Sequence, residues 1–280
     1  GAGADWLLID AEHSPNDLRS VVRQLQVAAA FPVEPLVRLP VDDPNLIKQF
    51  MDAGARSLMI PNVRSAQQAR EIVRAMAYAP LGGTRGYSVG HRANQFGRIA
   101  DYHRNARERQ FLAVQIECET GVAHAAEIAA HPQLAGMVMG SNDLATDLRA
   151  RFRPDRLPLM TGLGLCLLAA RAHGRIILDG VYNAYRDLSG LRAECEQGRD
   201  MGFDGKTLIH PDQLAIANEV FAPSADELVP ARRQTEALAQ ARAQGKRIAV
   251  LDGRIVENLH VETARATLAM AEAIASRAAQ

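Results

Sequence analysis

LLIDAEHSPND, Leu7–Asp17, is an apolar run that ends in Asp10, Glu12 and His13 and then turns at Ser-Pro-Asn-Asp. A strand that delivers two acids and a histidine from its last residues has the layout of a barrel strand feeding a site at its C-terminal end. Further along the chain the pattern repeats. WLLID (6–10), PLVRL (35–39), SLMIP (57–61), FLAVQIE (111–117), GMVMG (136–140), RIILDGV (175–181) and GKTLI (205–209) are short apolar runs. Helical patterns separate them, about 16–29, from Asp42-Asp43-Pro44 to near Gly54, about 65–77 and about 120–130. Acidic caps, a first-turn proline and a closing glycine are the expected punctuation of such helices. Four- to seven-residue apolar strands alternating with helices predict parallel strands covered on both faces. The count is seven, one short of the eight-stranded (β/α) barrel that closes this pattern at this length. An open doubly wound sheet is the alternative. It lacks the glycine-rich phosphate loop that would support its dinucleotide-binding form.

The 280 residues suit one large domain, or a barrel (1–225) with a C-terminal helical segment (226–280) for barrel packing or oligomerisation. In that segment Val261, Ala264, Leu268, Ala271 and Ile274 form one apolar stripe at helical spacing. Formal net charge is zero, so nothing in the balance points to nucleic acid or an anionic membrane surface. No apolar run approaches the ~20 residues of a membrane span. Three cysteines, Cys118, Cys166 and Cys195, without a CxxC pair read as free buried thiols in a reducing cytoplasm. The segment 79–104, rich in Gly, Arg and His, is a long loop of the kind that serves function or moves.

Reading only the strand ends gives Asp10, Glu12, His13, Arg38, Gln115, Glu117, Asn142, Asp143 and Asp179. Glu117 and Asp143 follow consecutive strands, and two such carboxylates repel unless a cation or proton lies between them. All-oxygen ligation favours a hard divalent ion; the alternative is a solvated acid pair at a loop edge. Arg38 suits an anionic or enolate oxygen, or else an ion pair with Asp10 or Glu12. His13 is placed to shuttle a proton, or is a surface histidine.

IDAEHSPND, VRLP, DDPNLIKQFMDAGA, TRGYSVGHRANQFG and VQIE together resemble the 2-keto-3-deoxy-sugar-acid aldolases of the HpcH/HpaI family, over roughly residues 1–120. MGSNDLATDLRAR, RIILDGVYNAYRDLSG, GKTLIHPDQ and DGRIVENLHVETAR resemble the citrate lyase β-subunit branch, over roughly 132–280. Both branches belong to one superfamily of (β/α)₈ TIM barrels, the phosphoenolpyruvate/pyruvate type, so the chain reads as a mosaic. Members carry one strand and helix before the stretch matching WLLID. Their absence here implies a fragment or truncated product of reduced stability, with two unpaired sheet edges.

The resemblance implies a divalent metal at Glu117 and Asp143, Mg²⁺ or Mn²⁺, with Co²⁺ admitted. It implies that Arg38 stabilises an enolate oxygen, that His13 is the catalytic histidine and that Asp52 pairs with it. Gln115 would position substrate or water, and the backbone amides of Gly140, Ser141 and Asn142 would hold a substrate carboxylate. Asp10 and Glu12 would hold waters or orient Arg38. The implied reaction is reversible cleavage of a 2-oxo-3-deoxy acid to pyruvate and an aldehyde by a cytoplasmic homo-oligomer. The rival enzyme reading is an acyl-CoA lyase or thioesterase, with CoA as part of the substrate. Asp179, Lys206 and Glu257 support it, although Lys206 is equally a structural lysine. A third reading is an inactive barrel serving as a binding or assembly module.

Overall fold

The computed structural model describes residues 3–278. Seven strands run parallel in one curled sheet, in the order of the chain: β1 (Trp6–Asp10), β2 (Glu34–Arg38), β3 (Ser57–Ile60), β4 (Phe111–Ile116), β5 (Gly136–Met139), β6 (Ile176–Asp179) and β7 (Gly205–Lys206). The helices between them are α1 (Leu18–Ala28), α2 (Pro44–Asp52), α3 (Ala66–Met76), α4 (Tyr102–Asn105), α5 (Glu119–Ala123), α6 (Ala125–Ala129), α7 (Ser141–Asp147), α8 (Met160–Ala172) and α9 (Leu188–Met201). After them come α10 (Leu214–Phe221), α11 (Ala225–Ala243), a hairpin of β8 (Ala249–Leu251) and β9 (Arg254–Val256), and α12 (Asn258–Ala278). The chain divides into two compact units, Gly1–Ala217 and Asn218–Gln280.

The punctuation works as the sequence indicates. Asp17 accepts from Ser20 N at 2.8 Å to open α1, and Asp43 accepts from Asn45 N and Leu46 N at 2.8 and 3.0 Å to open α2, with Pro44 in its first turn. Gly54 then turns the chain out of α2 at φ +111°, a conformation that favours glycine. Two stretches depart from expectation. The 120–130 helix is split at His124, which leaves helical geometry (φ −101°, ψ 11°) and donates from Nδ1 to Thr120 O at 2.9 Å. The seventh strand is reduced to two residues, paired with β6 only at Leu178↔Gly205 and Asp179↔Lys206. Lys206 is drawn into a buried charge cluster there, described below.

Parallel register explains why polar residues collect at one end. Asp10 pairs with Arg38, Arg38 with Met59, and Ile116 with Met139. Strand side chains alternate faces. Leu36, Met59, Ala113 and Val138 form one inner core cluster, with Trp6, Phe111 and Leu178 against it. Two residues further on along the same faces lie Arg38, Gln115 and Gly140, and Glu117 follows Gln115 by two more. The apolar interior therefore grades into the polar mouth along each strand. The sheet has two open edges, β1 and β7, and Leu7 and Leu8 on β1 are 45 % and 40 % exposed.

In the second unit, Asp252 and Gly253 take φ 50° and 75°, the two-residue turn that joins β8 to β9. The sequence reading had this stretch helical from 226 onward; the hairpin interrupts it. Ala249 and Val256 pair and pack with Leu238, Ala241 and Val261. The apolar stripe of α12 is buried at Val261 and Ala264, and Ile274 is exposed. The three cysteines are free and buried, as expected. No described helix is long and apolar enough to cross a membrane.

Candidate active site

Arg38 organises the mouth of the sheet. Its guanidinium donates from Nε to Asp10 Oδ1 at 2.9 Å and from Nη2 to Asp10 Oδ2 at 2.7 Å, a bidentate fork. Nη1 donates to Gln115 Oε1 at 3.3 Å and lies 3.2 Å from Glu12 Oε2. Gln115 Nε2 donates in turn to Glu117 Oε2 through a short bond. Asp10 also caps its own turn, accepting from Glu12 N at 3.0 Å and His13 N at 3.3 Å. Asn16 Nδ2 donates to Asp10 O at 2.7 Å, so the Ser-Pro-Asn-Asp turn is folded onto the strand end. The ion-pair reading of Arg38 is realised, and it leaves the planar group facing Gln115 and the other acids.

Carboxylates outnumber cations here. Burial, then repulsion from Asp143 and Glu12, pushes Glu117 up to about 7. Burial also raises Glu12, against the opposing pull of Arg38. Oε2 of Glu12 is buried and accepts no hydrogen bond, despite the nearby Arg38. Gly140 lets the backbone pass close to Glu117: a Cβ there would run into Cβ and Oε2 of Glu117 and come within 2.8 Å of Gln115 Nε2. Asp143 lies in the first turn of α7, which has no side-chain cap.

The donor set fits a hard divalent cation. Glu117 and Asp143 could supply oxygen ligands, and Glu12 Oε2, a buried acid oxygen without a hydrogen bond, adds its charge to theirs. No cluster of three or more His, Cys, Asp or Glu among the described residues is arranged to hold a metal. A two-carboxylate site that leaves positions for water and substrate oxygens is the open pattern typical of Mg²⁺.

Other candidates are placed less directly. His13 is mostly exposed, with a side-chain accessibility of 65 %, and its Nε2 is 3.5 Å from Glu12 Oε2. Asp52 is paired with Arg85, whose Nη2 donates to Asp52 Oδ1 at 2.5 Å, and the ion pairs of the described residues do not bring it to His13. Gly140 N is already committed, donating to Ile116 O at 2.9 Å, so the amides left for a ligand at this turn begin with Ser141. Asn142 spends its side chain on a reciprocal amide pair with Asn183, at 3.1 and 2.7 Å.

The acids and lysine of β6 and β7 are structural. Asp179 is fully buried and accepts both 2.8 and 2.7 Å bonds from Arg156 Nη1, and Lys206 Nζ reaches Asp179 Oδ2 at 3.1 Å, Gly180 O at 2.6 Å and Glu194 Oε1 at 2.5 Å. Lys206 has no exposed side-chain surface, so it is not a surface contact for a phosphate or CoA. Sequence reasoning missed Arg156. It stands in RFRPDR, and only its burial and positive φ of 51° reveal it.

A family model described as HpcH/HpaI aldolase/citrate lyase matches residues 1–211. A (3S)-malyl-CoA thioesterase of Cereibacter sphaeroides is 67 % identical over 165 residues, 59 % of this chain and 58 % of that protein. A hydroxypyruvate/pyruvate aldolase of Roseovarius nubinhibens is 47 % identical over 147 residues, 52 % of this chain and 57 % of that protein. The chain thus spans somewhat over half the length of these curated relatives. Among solved structures, an HpcH/HpaI aldolase/citrate lyase family protein of Burkholderia cenocepacia superposes with a TM-score of 0.68 at 30 % identity, covering 86 % of this chain and 87 % of that one. The CitE protein of Mycobacterium tuberculosis, solved with magnesium, acetoacetate and coenzyme A, shares the fold with a TM-score of 0.66 at 24 % identity, covering 96 % and 90 %.

Proposed function

The chain belongs to the HpcH/HpaI aldolase/citrate lyase family, and from that premise we propose that it is a divalent-metal-dependent carbon–carbon lyase that reversibly cleaves a 2-oxo-3-deoxy acid to pyruvate and an aldehyde. The observation that carries this reading is the chain of contacts Asp10–Arg38–Gln115–Glu117, which aims one fixed guanidinium and a surplus of acids at the same mouth. Glu117 and Asp143 would hold Mg²⁺ or Mn²⁺. When bound, the ion would supply Lewis acidity toward a keto oxygen.

The chain's own residues do the rest. His13, exposed at the mouth and beside Glu12, takes the proton of the C4 hydroxyl. The C3–C4 bond breaks, the aldehyde leaves, and the electron pair remains as the enolate of pyruvate. Arg38, held in plane by Asp10, stabilises the enolate oxygen. A proton returns to C3. Gln115, fixed between Arg38 and Glu117, orients the keto acid or a water, and the free amides at the start of α7 face its carboxylate. The active species is a cytoplasmic homo-oligomer.

One observation favours a second reading, a malyl-CoA-type thioesterase or lyase: the 67 % identity to the Cereibacter sphaeroides enzyme over more than half of the chain. Both chemistries use an enolate or a polarised carbonyl at the same acids. The separating experiment is deuterium exchange into the pyruvate methyl group, followed by NMR with Mg²⁺ or Mn²⁺ and with chelator. The aldolase reading expects metal-dependent exchange that disappears in Glu117→Gln and falls about 100-fold in Arg38→Ala. A metal-loaded protein that exchanges nothing, yet hydrolyses malyl-CoA, would establish the second reading in its place.

A further inference from the structure

At the opposite end of β4 and β5 from the carboxylates lies a cavity of about 340 Å³. Met76, Leu112 and Leu134 give it an apolar wall, and Arg107, Gln133 and Arg175 give it a polar one. The base of such a barrel ordinarily serves stability, and charges drawn into its interior are ordinarily paired. These are not. Arg175 donates from Nε to Ala129 O at 2.8 Å, and Arg70 donates to Gln67 Oε1 at 3.2 and 2.8 Å; both acceptors are neutral. Among the described residues no carboxylate forms an ion pair with Arg70, Arg107 or Arg175. His131 stands among the three: burial, then repulsion from Arg70, Arg107 and Arg175, holds its imidazole below the ordinary 6.5, with no acid in opposition.

Part of this has a structural account. The Arg175 bond satisfies a carbonyl at the end of α6, where a cation is favoured. That bond uses one of the five guanidinium N–H groups. Arg107 has no such role. Two guanidiniums, Arg107 and Arg175, line the concavity with no carboxylate paired to either, and Arg70 adds its charge at His131 beside them; together they make a site for an anion that a guanidinium can grip through two oxygens. The apolar wall sets the rest of the ligand, since 340 Å³ falls in the range of small-molecule sites.

We propose that the cavity between Arg107, Arg175 and the Met76–Leu112–Leu134 wall binds a phosphate monoester with a compact apolar body, at a site separate from the carboxylate mouth.

The test is calorimetric titration of the whole chain with phenyl phosphate and with inorganic phosphate, repeated on Arg107→Gln, Arg70→Gln and Arg38→Ala. Arg70 and Arg107 are exposed, so neither substitution disturbs the core. The expected result is saturable one-to-one binding of phenyl phosphate, at least fivefold tighter than inorganic phosphate and weakened by salt. It should fall about tenfold in Arg107→Gln, fall less in Arg70→Gln and persist in Arg38→Ala. A second readout is the His131 imidazole followed by NMR, whose titration should move upward when phenyl phosphate is bound. Binding that vanishes in Arg38→Ala and ignores Arg107→Gln would place the anion at the carboxylate mouth and overturn the proposal. So would the absence of saturable binding, or a His131 titration unmoved by saturating ligand. Failure of pyruvate exchange at Glu117 would leave the proposal intact, because the two sites share no residue.

Discussion

At the C-terminal ends of β6 and β7, Asp179 and Glu194 meet Arg156 and Lys206, two acids against two bases, and the group is almost wholly buried. At the ends of β1, β2, β4 and β5, Asp10, Glu12 and Glu117 gather around Arg38 alone, and Asp143 adds its charge to Glu117. Both clusters use the same residue types at equivalent strand ends. The first is balanced: each charge has a partner of opposite sign, although Arg156 Nη2 is buried without an acceptor, and the cluster ties Lys206 of β7 to Asp179 of β6. The second is unbalanced: its acids outnumber Arg38, and repulsion from Asp143 and Glu12 adds to burial in pushing Glu117 up to about 7. Buried charge at a strand end is therefore no sign of function in itself. Surplus charge of one sign is, because a fold gains nothing from holding like charges together unless something else arrives between them.

The largest effect expected from this contrast is a crossover. Asp179→Ala would leave Glu194 as the one acid for both Arg156 and Lys206 in the interior, at a cost of about 3–5 kcal/mol by urea unfolding. Glu117→Gln would remove a carboxylate that its neighbours repel, so its stability should match or exceed that of the unsubstituted chain, while Mg²⁺ or Mn²⁺ uptake by calorimetry is lost. If Glu117→Gln unfolded the protein as readily as Asp179→Ala, the second cluster would be as structural as the first.

Gly140→Ala sharpens the same boundary from the backbone side. Its Cβ would press on Glu117 and Gln115, and overpacking of this kind costs about 1–3 kcal/mol. The displaced Glu117 carboxylate should weaken metal binding by a larger factor than the melt alone suggests. Gly164→Ala, whose Cβ would meet nothing within 4 Å, is the control; it should alter neither metal uptake nor, beyond a small helical gain, the melting temperature. Equal metal affinity in both variants would show that Gly140 is not needed for close approach.

Much of this was legible in the sequence, for a definite reason. Parallel strands buried on both faces leave apolar runs, and in-register pairing puts their last residues side by side, so Asp10, Arg38, Gln115 and Glu117 could be grouped without coordinates. What stayed hidden depended on long-range pairing. Lys206 read equally as a ligand contact or a structural lysine, because its partners Asp179 and Glu194 come from β6 and α9. Arg156 was invisible, since nothing local distinguishes it from the exposed Arg153 three residues earlier. The β8–β9 hairpin is a different matter. Its Asp252-Gly253 pair between apolar runs is a strong local turn signal, and the helical reading of the C-terminal stretch overrode it.

The smallest expected effect concerns Asp10, where the unbalanced cluster is most like the balanced one. Burial alone would raise its carboxyl, but the bonds from Arg38 and from Glu12 N outweigh it, and the group lies below its ordinary 3.8. A carboxylate lowered on folding binds fewer protons in the native state than in the unfolded one. Its contribution is therefore present above 3.8 and is lost as pH falls through the lower native value. Asp10→Asn removes that contribution, so the difference in urea midpoint between the two proteins should be constant near neutrality and narrow as pH falls through and below 3.8. The group is only partly buried, so the change should be modest. A difference that stays constant to the lowest pH would mean that Asp10 is not charged against Arg38, and that the guanidinium is steered by Gln115 and Glu12 instead.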